Sequence, residues 1–125
     1  MHSQQMKTYI SRIILYVHDI PRVAAFYQKH FDFTPVGAPE KGWLELSLQD
    51  GGCNIALHQA TTPSRERGRS PAKIVFGVVD VHSAKKQFAA RGLKFGKVFD
   101  LDGFAFSNAS DPEGNPIQIS SRGIT

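Results

Sequence analysis

The residues best suited to chemistry stand on one side of a short alternating segment. Residues 43–48 place a leucine at every second position, and the positions between hold Trp43, Glu45 and Ser47. Such alternation is typical of a β-strand with one buried and one polar face. In the next strand-like segment, residues 54–59, parity puts His58 on the same polar side. A carboxylate and an imidazole on one face are candidates for proton transfer, and an indole beside them can stack on a flat ligand.

The same alternation, applied to every strand-like segment, gives a larger set of residues that face a cleft. Their aromatic rings suit stacking, and their charged and amide groups suit the orientation of a flat, polar organic ligand by hydrogen bonds. We predict that the ligand-binding residues, with Ile14 and Ser120 alongside, are Arg12, Tyr16, Trp43, Glu45, Asn54, His58, Lys73, Phe104, Phe106, Asn108 and Gln118.

Some of these residues have a second interpretation. Phe104 and Phe106 would also serve to close a small apolar core. Arg12, Lys73 and Glu45 would also form an ion pair or triad in a hydrated cleft. If Arg12 and Lys73 are instead available to a ligand, they can bind its carboxylate or phosphate. The sequence leaves these alternatives open, and it does not fix the distance between Glu45 and a catalytic partner.

A strand followed by a capped helix positions these residues, and the chain contains this unit twice. Residues 13–17 are an apolar, β-branched run, and Asp19 can accept hydrogen bonds from the free amides of a following helix. Residues 72–95 repeat the plan, with Asp80 as the cap and Gly92 as the C-terminal stop. The two segments align without a gap, so the chain is a tandem duplication.

Each unit continues into a hairpin, because turn signals at residues 50–52 and 111–115 separate paired strand-like segments. We predict an α+β fold of two tandem βαβββ modules that form a curled mixed sheet around one cleft, with the helices outside. Residues 1–125 would be a single domain, with modules at 8–60 and 72–121 and a linker at 61–71.

Composition narrows the classes of function. The chain has 125 residues, a formal net charge of +4 and one cysteine, Cys53, which suits a single domain in a reducing compartment, so we predict a cytoplasmic protein. No run approaches the roughly 20 apolar residues of a membrane span, so we expect no membrane contact. Arg65, Arg67 and Arg69 lie close together without flanking aromatic residues. We interpret them as part of a solvated linker and predict no nucleic-acid partner.

Several of these motifs together resemble the vicinal oxygen chelate superfamily, which includes glyoxalase I, extradiol dioxygenases and bleomycin resistance proteins. The resemblance covers residues 10–121 and implies the fold predicted above, while one fold hosts many activities. Its markers are Val17 and Asp19 at the strand-to-helix junction, Phe26-Tyr27 in the helix, Asp80 at the repeat position, and Asp111-Pro112-Glu113-Gly114-Asn115 before the last strand.

The resemblance also implies where a divalent metal would bind. Enzymes of this superfamily hold the metal with His and Glu side chains, at positions that correspond here to Arg12, Ala56, Lys73 and Gln118. An arginine cannot give up its proton to bind a metal, and two cations would repel one. We therefore predict no metal and no cofactor.

The histidines of the chain do not form a clear replacement for this metal site. His18, His30 and His82 stand near predicted helix or strand ends, where we expect surface or capping roles. His58 is expected in the polar wall of the cleft, and a displaced metal that uses it stays as an alternative.

Three functions are therefore weighed. The first is a metal-independent binding protein that holds a planar polar ligand, neutral or anionic, in the aromatic cleft. The second is a glyoxalase-like lyase, an isomerase or a dioxygenase-type enzyme that uses a displaced divalent metal or an acid–base pair of His58 and Glu45. The third is a structural module with a vestigial cleft. The resemblance also implies a homodimer, and the sequence leaves open whether the cleft lies within one chain or is shared between two, and whether the halves are exchanged.

Overall fold

The computed structural model describes residues 6–7, 9–61 and 72–124. Residues 62–71, which include Arg65, Arg67 and Arg69 of the predicted linker, lie outside the described residues. The first half contains β1 (Arg12–Val17), α1 (Ile20–Phe31), β2 (Thr34–Pro35), β3 (Trp43–Ser47) and β4 (Asn54–Gln59). The second half contains β5 (Ile74–Gly77), α2 (Val81–Ala90), β6 (Phe99–Leu101), β7 (Phe104–Ser110) and β8 (Pro116–Ser120).

The strands form two four-stranded mixed sheets with the same internal order, β1-β4-β3-β2 and β5-β8-β7-β6. In each sheet the first strand runs parallel to the last, with Ile13 opposite Ile55 and Ile74 opposite Ile117. The remaining pairs are antiparallel. The predicted α+β class with two tandem βαβββ modules is confirmed.

Each module contains a short edge strand that alternation in the sequence does not mark. The prolines and glycines of residues 34–42 are typical of a loop, yet Thr34 pairs with Ser47 and Pro35 with Leu46. A proline is tolerated here because an edge strand does not need its missing N–H for the ladder. The equivalent strand β6 is three residues long, too short for alternation to reveal.

Both predicted helix caps are confirmed. An oxygen of Asp19 accepts a hydrogen bond from the backbone N–H of Arg22 at 3.1 Å, and Asp80 does the same for Ser83 at 3.1 Å. Gly92 follows the end of α2 with φ of +93°, a conformation that only glycine adopts without strain. Local residues thus fix where both helices begin and where α2 ends. Neither helix of the described residues is long and apolar enough to cross a membrane.

A single apolar core joins the two modules on the helix side of the sheets. Leu15 and Val17 of β1 are buried together with Ile117 and Ile119 of β8. Between the modules, the ring of Phe31 in α1 stacks on Phe76 of β5, with centroids 3.9 Å apart and ring planes 13° apart. Phe31 also contacts Phe88 of α2 at 5.1 Å. We call this helix side of each sheet its dry face.

A buried polar network makes a second connection between the modules. The hydroxyl of Tyr27 in α1 donates to Asp111 at 2.9 Å, and this burial beside a carboxylate raises the pKa of Tyr27. The carboxylate of Glu113 accepts hydrogen bonds from the backbone N–H groups of His18 at 2.8 Å and Asp19 at 2.7 Å. The 111–115 loop of the second module therefore holds the junction of β1 and α1 in the first.

Candidate functional site

The candidate ligand-binding residues lie on the sheet faces opposite the dry faces. On β1, Leu15 and Val17 are buried, whereas Ile14 and Tyr16 are 41% and 63% exposed. Alternation along the strands produces this separation. We call the two surfaces the first open face, on the β1–β4 sheet, and the second open face, on the β5–β8 sheet.

Three polar residues of the first open face form one hydrogen-bonded group. Arg12 Nε and Asn54 Nδ2 both donate to the same oxygen of Glu45, at 3.0 Å and 2.8 Å. The hydrogen bond from Asn54 is the main cause that lowers the pKa of Glu45, and Arg12 lowers it further. Glu45 is therefore an ionised carboxylate at neutral pH, and it neutralises the charge of Arg12.

An aromatic group lies beside it on the same face. The imidazole of His58 contacts the ring of Tyr16 at 5.0 Å and the indole of Trp43 at 6.0 Å, edge to face. His58 Nδ1 lies 2.9 Å from the carbonyl oxygen of Gln59. Because a carbonyl oxygen only accepts, Nδ1 carries the hydrogen, and Nε2 of the neutral ring is an acceptor for a ligand.

The structure does not join His58 and Glu45 by a hydrogen bond. In the β3–β4 ladder, His58 is opposite Trp43 and Glu45 is opposite Ala56, so the two side chains occupy diagonal positions, about 7–8 Å apart at the backbone. Their hydrogen bonds go to different partners. The first open face thus contains a neutralised ion pair and a separate aromatic group.

The second open face contains a cation held by amides. Lys73 Nζ donates to Asn108 Oδ1 at 3.0 Å, and Gln118 Nε2 donates to the same oxygen at 2.9 Å. Asn108 is neutral, so it does not neutralise the positive charge of the exposed Lys73 side chain.

A row of phenylalanines continues the second open face. The ring of Phe106 stacks on Phe99 at 5.1 Å and on Phe104 at 6.5 Å, with ring planes within 20° and 21°. Lys97 lies over Phe99 and Arg122 over Phe104, at 5.6 Å and 4.9 Å from the ring centroids. Sequence analysis missed Phe99, Lys97 and Arg122, because β6 is too short to show a face and Arg122 follows the last strand.

The two open faces are not connected to each other by these contacts. In the described part of the chain, the hydrogen bonds and ring contacts of the candidate residues stay within their own sheet. The conceivable triad of Arg12, Lys73 and Glu45 is reduced to the pair of Arg12 and Glu45. Within one chain, the candidate residues therefore form two separate groups.

His30 corrects one expectation from the sequence. We expected a surface or capping role, but His30 is only 7% exposed, packs against Phe26 at 5.0 Å, and its Nδ1 has no hydrogen-bond partner. His30 lies on the buried side of α1, together with Val23 and Tyr27. This burial, and not its position in the last turn, determines its surroundings. Burial lowers the pKa of His30, and the charges of Lys29 and Arg91 lower it further.

This histidine gives a testable pH dependence. Because the pKa of His30 in the folded protein lies below the unfolded value of about 6.5, the unfolded chain binds more protons in the interval between the two. Well above a pH of about 6.5, protonation of His30 should therefore not affect the free energy of unfolding. As the pH falls from this value toward the lower pKa of the folded protein, the free energy of unfolding should decrease. Urea unfolding at a series of pH values should show that His30→Leu loses less stability than the wild type as the pH falls, whereas His82→Asn, which removes an exposed histidine, should not reduce this loss. Equal losses in His30→Leu and the wild type would contradict this account.

A profile of the glyoxalase/bleomycin resistance protein/dioxygenase superfamily matches residues 9–119. The chain belongs to this superfamily, which confirms the resemblance identified from its motifs.

Solved structures with the same fold share little sequence with the chain. UcmS2 superposes with a TM-score of 0.79 at 16% identity, covering 93% of this chain and 99% of the other. TnmS3, an antibiotic-binding protein from Streptomyces sp. CB03234, gives 0.74 at 18% identity, with 93% and 97% covered. A mutant of the fosfomycin resistance protein FosX from Listeria monocytogenes, in complex with Mn(II) and 1S,2S-dihydroxypropylphosphonic acid, gives 0.72 at 18%, with 93% and 91% covered. No curated protein sequence matches the chain significantly.

The residues present do not fit the divalent metal that the superfamily implies. Arg12 is already hydrogen-bonded to Glu45, Lys73 is hydrogen-bonded to an amide, and Ala56 is buried and has no donor atom. Among residues 6–7, 9–61 and 72–124, no three His, Cys, Asp or Glu side chains come together as a possible metal site. We derive no chemical step through a metal.

Proposed function

We propose that the protein is a metal-independent small-molecule-binding protein that holds a planar polar ligand against its open faces. The observation that carries this proposal is the row Phe99–Phe106–Phe104 on the second open face, next to hydrogen-bonded Lys73. Phe99 is 42% exposed. Phe104 and Phe106 are partly exposed. Because the rings stack on one another, a further aromatic ring would pack edge to face against the row, and such a pair contributes about 0.5–1.5 kcal/mol beyond area burial.

The residues at the superfamily's metal positions support binding without a metal. The cations Arg12 and Lys73 and the amide of Gln118 can orient polar groups of a ligand, and the two cations cannot act as divalent-metal ligands. The antibiotic-binding TnmS3 and the fosfomycin resistance protein have the same fold. By analogy, we propose a small natural product or a related xenobiotic as the class of ligand.

We further propose a homodimer in which the first open face of one protomer lies opposite the second open face of its partner. Each open face leaves apolar residues in solvent: Ile14 is 41% exposed, Val75 52% and Leu101 52%. A second copy would cover these residues and complete a cleft from two half-sites. The lone Cys53 suits the reducing cytoplasm as the compartment of this dimer.

Metal analysis and ligand-dependent unfolding test the proposal together. Protein purified without chelator should contain far less than one metal ion per chain, and Ni²⁺, Zn²⁺ and Mn²⁺ should leave its melting temperature unchanged. Planar polar aromatics should raise that temperature, because a ligand at 100 times its Kd stabilises the folded state by about 2.7 kcal/mol. Phe106→Ala should weaken binding about three- to tenfold, whereas Val79→Ala, at an exposed position before α2, should not. Sedimentation of the same sample should give the mass of a dimer.

Other outcomes would favour the remaining functions. One metal per chain that is lost on His58→Ala would favour the enzyme that uses a displaced metal. No shift with any planar compound would favour a structural module. An acid–base pair of His58 and Glu45 has little support from the geometry, since the two side chains belong to separate hydrogen-bonded groups.

A further inference from the structure

We infer that Lys73 determines the charge of the ligand, and that the ligand is an aromatic anion whose acidic group binds Lys73 while its ring packs against the Phe99–Phe106–Phe104 row. This inference rests on the proposed binding function and makes it more specific.

The two cations of the candidate site differ in how their charges are compensated. Arg12 donates from Nε to the carboxylate of Glu45 at 3.0 Å, so an incoming anion would meet a paired charge. Lys73 donates to the amide oxygen of Asn108 at 3.0 Å and, among the described residues, is hydrogen-bonded to no carboxylate. Of these two cations, Lys73 and not Arg12 is therefore available to bind an acidic group of a ligand.

The amide partners also orient the ammonium group. Asn108 Oδ1 is held from the other side by Gln118 Nε2 at 2.9 Å, which fixes the acceptor that positions Lys73 Nζ. A lysine ammonium has three donors, so two remain for a ligand after the bond to Asn108. Charge-assisted hydrogen bonds to a carboxylate are roughly twice as strong as neutral ones.

The surrounding charges favour an anion as well. Lys97 and Arg122 lie over the two end rings of the phenylalanine row. Asp100 of β6 is opposite Ala105, a buried dry-face position, and its carboxylate binds His82 at 2.9 Å. Its charge is thus directed away from the second open face.

The spacing of the strand sets the size of the ligand. Asn108 is opposite Gln118 and Phe106 is opposite Ser120, so the polar anchor and the central ring are successive same-face positions of β7. Two residues of a strand span about 7 Å. An acidic group attached directly to a one- or two-ring aromatic system matches this distance.

Titration with a matched pair of probes tests the inference. Calorimetry should show that wild-type protein binds naphthalene-2-carboxylate about tenfold more tightly than the neutral naphthalene-2-carboxamide, as expected for one charge-assisted contact. Lys73→Met should reduce this preference to less than about threefold, because the carboxylate loses a charge-assisted contact whereas the amide loses only the weaker bond from its carbonyl oxygen. Lys73→Arg should preserve the preference, and the control Lys86→Met, on the exposed side of α2, should behave as wild type.

The outcomes separate this inference from the proposed function. Equal affinity for both probes in the wild type, or an unchanged preference in Lys73→Met, would overturn the role of Lys73 while ligand binding itself stands. Binding of neither probe at millimolar concentration would count against both the aromatic anion and the stacking surface. Lys73 is exposed, so its substitution should not disturb folding. Circular dichroism spectra of the variants should match that of the wild type.

Discussion

Asp111→Ala is expected to lower the free energy of unfolding by about 3 kcal/mol or more, the largest effect of any polar substitution that we consider. Asp111 is 5% exposed and accepts four hydrogen bonds. The donors are the hydroxyl of Tyr27, the backbone N–H of Glu113, and both the backbone and side-chain N–H groups of Asn115. Alanine would leave these buried donors without an acceptor and release the loop that holds α1.

Urea unfolding followed by circular dichroism measures this loss. Tyr27→Phe removes only one of the four bonds and should cost about 1–2 kcal/mol. The control Asp100→Ala removes an exposed contact to His82 and should cost less than about 1 kcal/mol. If Asp111→Ala were no less stable than Asp100→Ala, the 111–115 loop would not be the connection between modules that the hydrogen bonds indicate.

Much of the fold could be predicted because its signals are local. The caps Asp19 and Asp80 and the alternation around Glu45 each act within a few residues of sequence, so each could be interpreted without knowing the partner strand. Alternation also determined the faces: Trp43, Glu45 and His58 share the side that the parity of their strands predicts.

The contacts within the site depend on strand register, which cannot be inferred from the sequence. Glu45 binds Asn54 and Arg12 because the β1–β4 and β3–β4 ladders bring these strands together at one level. An equally reasonable interpretation placed Glu45 beside His58, and only the register separates the two. Lys73 and Arg12 have equivalent positions in the duplicated modules. The charge of Arg12 is neutralised by Glu45, whereas Lys73 is hydrogen-bonded to the neutral amide of Asn108.

His30 and Phe99 show two further ways in which local signals fail. His30 has the polarity of a surface residue but the position of a core residue, and tertiary burial decided its environment. Phe99 joins the aromatic row through pairing with Phe106, although its own strand is too short to be recognised. Both cases arise where a long-range contact, and not the sequence window, determines the surroundings of a side chain.

Phe31→Ala is expected to cost about 3–4 kcal/mol, because it removes a nearly buried ring at the junction of the two modules. Phe31 is 8% exposed and contacts Phe76 at 3.9 Å and Phe88 at 5.1 Å across that junction. Phe31→Leu retains most of the apolar volume and should cost clearly less, since the remaining cavity is smaller. Phe99→Ala, which truncates a partly exposed ring on the second open face, is the matched control and should cost less than about 1.5 kcal/mol.

The same comparison tests whether the dry faces and the open faces have separate roles. If they do, urea unfolding of Phe31→Ala should show a large loss of stability, whereas Phe99→Ala should mainly weaken binding of a planar aromatic probe. A Phe31→Ala variant as stable as Phe99→Ala would mean that the stacked rings do not hold the modules together. A second, separate unfolding transition in Phe31→Ala would show that the two modules unfold together only because this contact couples them.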